Sequence, residues 1–142
     1  MPDYSKYIGI PFLDKGRTIE EGLDCWGLFR IFYMQELGIE FPSFDDRYDD
    51  SESEKQIGNF VLSGMDQKLV GKWNKVELGK EQWGDGILIR LKGHPMHVGV
   101  MVDRNIFIHI LTGCDSVWEN RTSRIWQKRV IGIYRLEGQS NG

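Results

Sequence analysis

From Asp24 to Gly38 the chain reads DCWGLFRIFYMQELG, with apolar residues on nearly every face of a helical projection. A helix lying on a protein surface keeps a polar side, so a segment this uniformly apolar has to be buried. Asp24 is a good N-cap and Gly38 a good C-terminal stop, which predicts a buried helix over residues 25–37. Further along, the period changes. GILIRL at 86–91, HVGVMV at 97–102, IFIHIL at 106–111 and VIGIYRL at 130–136 are short, rich in β-branched residues and separated by turn formers. Their spacing predicts an antiparallel meander and not βαβ units. Upstream, GIPFLDKGRT at 9–18 reads as a loop leading into the helix. FPSFDDRYDDSESEKQ, residues 41–56, reads as an acidic solvated linker, and SEKQIGNFVLSGM, residues 53–65, as a short second helix. Helices precede strands, so the expected class is α+β, with a buried helix packed on an antiparallel sheet.

A chain of 142 residues is expected to form a single domain, 1–142. The net charge of −3 gives no basic footprint, so no nucleic-acid partner is expected. Apolar runs fall well short of the roughly 20 residues of a membrane span, and none is expected. The opening MPDYSKYIGIPF mixes acid and base without an uninterrupted apolar stretch, so no signal peptide is expected and synthesis in a bacterial cytoplasm is. Two cysteines, Cys25 and Cys114, cannot build a disulfide framework, and their different contexts favour separate roles.

Cys25 stands at the head of the buried helix. A free thiol has a pKa near 8.5, and the half positive charge of a helix N-terminus favours its anion. A nucleophile also needs a base, and the base a group that orients it. His97 and His109 flank the DRN turn of a predicted hairpin, so they can lie side by side on neighbouring strands and hydrogen-bond. The candidate set is therefore Cys25 as nucleophile, His97 as general base and His109 as orienter. An inert core thiol and structural strand histidines are the plain alternatives. A zinc site is disfavoured, because His94 and His97 are three residues apart and an extended backbone points them to opposite faces. No metal and no cofactor are expected. His94 is read as a loop residue and Cys114 as a spectator.

GLDCWGLF, WGDGILIRL and HVGVMVDRNIFIHI together resemble the NlpC-type cell-wall peptidases, a papain-like family of cysteine peptidases, over nearly the whole chain. The resemblance implies the same nucleophile, base and orienter, a papain-like fold, and hydrolysis of the γ-D-glutamyl bond to the diamino acid in peptidoglycan stem peptides. It is nearest to a bacteriophage tail-associated branch, through Trp26 after the cysteine and the upstream GIPFLDKGRTIEEGLDCW. That branch implies other phage tail proteins as partners and a location on the virion tail. Asp24 matches an acidic residue that could hold a substrate amine. Trp26 stands where many members have Ser, and Phe12 where many have Tyr; both are carried as substrate-side positions. The rival readings are a catalytically silent tail-assembly component, and an amidase or acyltransferase using the same Cys–His–His set.

Overall fold

Asp24 starts the central helix as its sequence suggests. Its backbone is extended, its side chain accepts from the Gly27 N–H at 2.8 Å, and its carbonyl accepts from Leu28 N–H at 2.9 Å. From there α1 runs Cys25–Phe32 in a computed structural model that describes residues 3–41, 73–91 and 94–137, with 91 and 94–96 described in their backbone alone. The helical path then widens into a π-helical turn, Tyr33–Leu37, and Gly38 ends it in the left-handed region at φ 68°. The expected span is thus helical throughout, but its last turn is not α. Tyr33 sits where the geometry changes: its ring stacks on Phe29 at 4.6 Å and its hydroxyl donates to the Gly84 carbonyl. Only Arg30 among residues 25–33 escapes burial, and its guanidinium donates to the Phe41 carbonyl at 2.8 Å.

A short 3₁₀ turn, Ser5–Tyr7, opens the chain, and a small hairpin of β1 (Arg17–Thr18) and β2 (Gly22–Leu23) leads into α1. Among the described residues, six further strands form one antiparallel sheet: β3 (Trp73–Val76), β4 (Gly86–Leu91), β5 (His94–Met101), β6 (Ile106–His109), β7 (Val117–Asn120) and β8 (Val130–Leu136). Their spatial order is β3-β8-β4-β5-β6-β7. The expected meander is real from β4 to β7. β8 does not extend it; it returns to the far side of β4, where β3 flanks it. β3 and β7 were not anticipated, because WNKV and VWEN are four-residue strands whose mixed composition gives no alternating signal. The second helix expected over 53–65, and all but the first residue of the acidic linker, lie outside the described residues.

Both faces of the sheet are covered, which explains why β4 and β5 read as almost continuous apolar runs. Leu88, Val98, Val100, Ile108 and Ile110 face the helix side and pack with Trp26, Leu28, Phe29 and Phe32. Ile87, Ile89, Met101, Phe107 and Ile133 face the other way and are closed over by Trp126. Fully burying side chains of this size stabilises by about 1.5–3 kcal/mol each, so the helix–sheet contact holds the fold together. Among the described residues, no helix is long and apolar enough to cross a membrane.

Candidate active site

Cys25 is the first residue of α1, and the helix packs on β5 and β6. The backbone N–H groups of Trp26 and of Val98, the residue after His97 on β5, lie close enough to the sulfur to favour its anion. Burial pushes the Cys25 thiol up to about 12, and the neighbouring Asp24 carboxylate pushes the same way; the two N–H groups and Arg17 only partly offset them. This corrects the expectation of a thiolate held by the helix end. Asp24 brings a full negative charge to the terminus whose partial positive charge was to stabilise the anion. Burial and Asp24 together favour the neutral thiol in the free protein.

His97 and His109 do meet. Nε2 of His97 lies 2.9 Å from Nδ1 of His109, with ring centroids 5.0 Å apart. Val100 pairs with Ile108 and Met101 with Phe107, so the two histidines share one face of the sheet, that of Ile89, Phe107 and Trp126 and not that of α1, with His109 two residues along from directly opposite His97. The expected pairing is therefore diagonal. Both rings are buried, and burial lowers His97 well below the ordinary imidazole value, with His109 adding to the effect. His109 is lowered too, again mainly by burial, although Glu119 pulls against it. Both imidazoles are neutral near pH 7.

Two residues at this site had no part in the expectation. Glu119, on β7, lies with Oε2 3.3 Å from Nε2 of His109. Trp126 stands edge-on to the His109 ring at 4.9 Å, and Phe107 borders the same ring at 5.1 Å. Glu119 could have been suspected from the sequence only by first recognising VWEN as a strand beside IFIH.

Asp24, expected at a substrate amine, is fully buried. One carboxylate oxygen accepts from Gly27 N–H and from Arg17 Nη1, each at 2.8 Å, and the other from Lys15 N–H at 3.2 Å. Its work is to cap α1 and tie down the β1–β2 hairpin. Trp26 is likewise no open substrate wall: it is 2% exposed and stacks on Phe29 at 5.2 Å. Its neighbour Gly27 has no room for a side chain, because a Cβ there would run into the Gly16 carbonyl oxygen. Phe12 is half-buried and bridges Leu23, two residues before Cys25, which leaves it at the edge of the site. Cys114 is exposed and Cys25 buried, both as free thiols. His94 belongs to β5 and not to a loop. Among the described residues, no group of three His, Cys, Asp or Glu side chains could hold a metal ion.

Residues 9–135 match the NlpC/P60 family. The chain belongs to that family. It is 24% identical over 140 residues to the murein DD-endopeptidase MepS/murein LD-carboxypeptidase of Escherichia coli K12, covering 99% of this chain and 63% of the relative. A shorter stretch of 37 residues is 49% identical to the gamma-DL-glutamyl hydrolase of Bacillus subtilis 168, covering 26% of this chain and 9% of that one. The crystal structure of the NlpC/p60 domain of the peptidoglycan hydrolase SagA superposes with a TM-score of 0.59 at 19% identity, over 93% of this chain and 92% of that domain. The α+β architecture, one helix on an antiparallel sheet, is thus that of NlpC/P60 domains. The chain spans less than two thirds of the curated relatives' length.

Proposed function

We propose that this domain is a cysteine peptidase that hydrolyses peptidoglycan stem peptides, with Cys25 as nucleophile, His97 as general base and His109 as orienter. The observation that carries the reading is the hydrogen-bonded His97–His109 pair, 2.9 Å apart on β5 and β6, with the Cys25 sulfur beside the Val98 N–H that follows His97 on β5. As the scissile carbonyl arrives, the sulfur attacks and His97 takes the thiol proton. The C–N bond then breaks, His97 returns the proton to the leaving amine, and a thioacyl enzyme remains. Water, deprotonated by His97, attacks the thioacyl carbonyl; the C–S bond breaks and His97 returns the proton to the sulfur. The Cys25 backbone N–H supplies an oxyanion donor, since the Gly27 and Leu28 N–H groups are taken by Asp24. The names of the relatives support peptidoglycan as substrate. The family's usual γ-D-glutamyl–diamino acid bond, together with the gamma-DL-glutamyl hydrolase match, supports that bond as the one cut. The upstream GIPFLDKGRTIEEGLDCW and Trp26 support a place on a phage tail, with other tail proteins as partners.

Purified protein incubated with cell-wall fragments, beside a Cys25→Ala control, tests the activity. Release of peptides ending in γ-D-glutamate by the first and not the second is expected. Equal products from both would remove the cysteine from the reaction. No product from either favours the silent assembly component, a reading that the buried, neutral thiol also fits. Transfer of the acyl group to an added amine would mark an acyltransferase.

A further inference from the structure

We infer that Glu119 is a positioning residue that fixes the protonation pattern of both histidines and leaves the lone pair of His97 on Nδ1. This rests on the reading of His97 as general base, and it names what makes that base competent. Glu119, His109 and His97 form a diagonal row across β7, β6 and β5. His109 pairs with Val117 and Phe107 with Glu119, so Glu119 is offset from His109 by the same two residues that offset His109 from His97. The contacts along the row are 3.3 Å and 2.9 Å.

The chemistry follows from which atoms can donate. A carboxylate only accepts, so Nε2 of His109 carries a proton toward Glu119. With His109 neutral, its Nδ1 is then a bare acceptor. A bare nitrogen at 2.9 Å from Nε2 of His97 requires a proton on that Nε2, because two lone pairs cannot share a hydrogen bond. His97, also neutral, is left with its lone pair on Nδ1. The row therefore makes Nδ1 the basic atom of His97. Phe107 and Trp126 hold the His109 ring at this setting, and Arg129 lies over Trp126 at 5.5 Å. Without Glu119, His109 is free to protonate on Nδ1 and donate to His97. The proton of His97 would then move to Nδ1, and the base would be lost in that fraction of molecules.

The experiment uses the full chain, labelled with ¹⁵N, and long-range proton–nitrogen correlations that report which ring nitrogen is protonated. In the native protein both His97 and His109 should carry their proton on Nε2. Glu119→Leu, which keeps the bulk but accepts nothing, should move a measurable fraction of the His97 proton to Nδ1. It should also lower kcat on cell-wall fragments by about tenfold to a hundredfold, with KM changed less than about twofold. Glu119→Gln, whose amide oxygen still accepts, should restore the native pattern and most of the rate. If Glu119→Leu does not fold, Glu119→Ala carries the same expectation. An unchanged His97 proton in a folded Leu or Ala variant overturns the inference. So does a shifted proton with an unchanged rate in an enzyme that Cys25→Ala silences. If the native protein hydrolyses nothing, the peptidase reading fails, and the nitrogen spectra alone still decide the role of Glu119.

Discussion

The neutrality of the Cys25 thiol is a kinetic statement that alkylation can measure. Only thiolate reacts with iodoacetamide at an appreciable rate. Burial and Asp24 raise this thiol to about 12, so near pH 7 it holds roughly a thousandth of the thiolate of a solvated cysteine. In free-energy terms, ionisation costs about 4 kcal/mol more here than in water. With Cys114→Ser as background, intact-mass time courses should give a Cys25 rate about a thousandfold below that of a reference peptide thiol. The rate should climb about tenfold per pH unit through pH 10 without a plateau. Asp24→Asn isolates one of the two causes, since Asn still caps a helix but carries no charge. It should speed alkylation several-fold at fixed pH. A plateau below pH 8, or a rate at pH 6 equal to the reference, would refute the reasoning. Either would mean that a thiolate–imidazolium pair exists before substrate arrives, as the helix position alone suggests.

Other outcomes follow from the same geometry. Asp24→Ala removes the cap of α1 and the carboxylate that Arg17 pairs with, leaving the guanidinium its bond to the Gly16 carbonyl; urea titration should find a loss of about 1–3 kcal/mol. Gly99→Ala should push β5 from β6, because a Cβ there would lie 2.7 Å from the Ile108 carbonyl oxygen and 3.3 Å from the Phe107 ring. A fall of about 1–3 kcal/mol in stability, with a perturbed His97–His109 hydrogen bond in the nitrogen spectra, is expected. Folding stability should be greatest between about pH 6.5 and 9. Below 6.5 the unfolded chain binds protons that the buried His97 and His109 refuse, and above 9.0 it releases one that Cys25 retains. Urea midpoints that stay flat from pH 7 to 5 and from 8 to 10 would contradict the burial of all three groups.

Much of the site was legible because its signals are local. Asp24 before an apolar run marks the helix start, and two histidines flanking a short turn mark neighbouring strands. The diagonal offset was hidden because register depends on the turn, which residues 102–106 close with a Val102 N–H to Ile106 carbonyl bond of 2.9 Å. β8 could not be placed, since a strand's neighbour in the sheet is a tertiary choice that its own composition does not record. Glu119 and Trp126 were missed for the same reason: each reaches His109 from a segment whose own pattern predicts nothing. Asp24 was misjudged in a different way. It reads correctly as a cap, but its burial, and with it the effect of its charge on the adjacent sulfur, depends on Arg17 and on the hairpin that closes over it.

The two carboxylates then act in opposite senses at the two ends of one proton path. Asp24 adds to the burial that keeps the proton on Cys25 in the free protein, and Glu119 keeps the receiving nitrogen of His97 open. A preformed ion pair would need the reverse: a stabilised thiolate, and an imidazolium whose second proton makes its tautomer irrelevant. Under the proposed mechanism the proton must move as the sulfur attacks, so the rate depends on the basicity of His97 and not on a standing population of thiolate. Acid inactivation should accordingly follow the lowered His97, setting in below the ordinary imidazole range, with no second limb from Cys25 up to at least pH 10. A bell centred near pH 6 in kcat/KM would instead require the thiol to ionise first, and would contradict the burial that Asp24 and the helix–sheet contact impose on it.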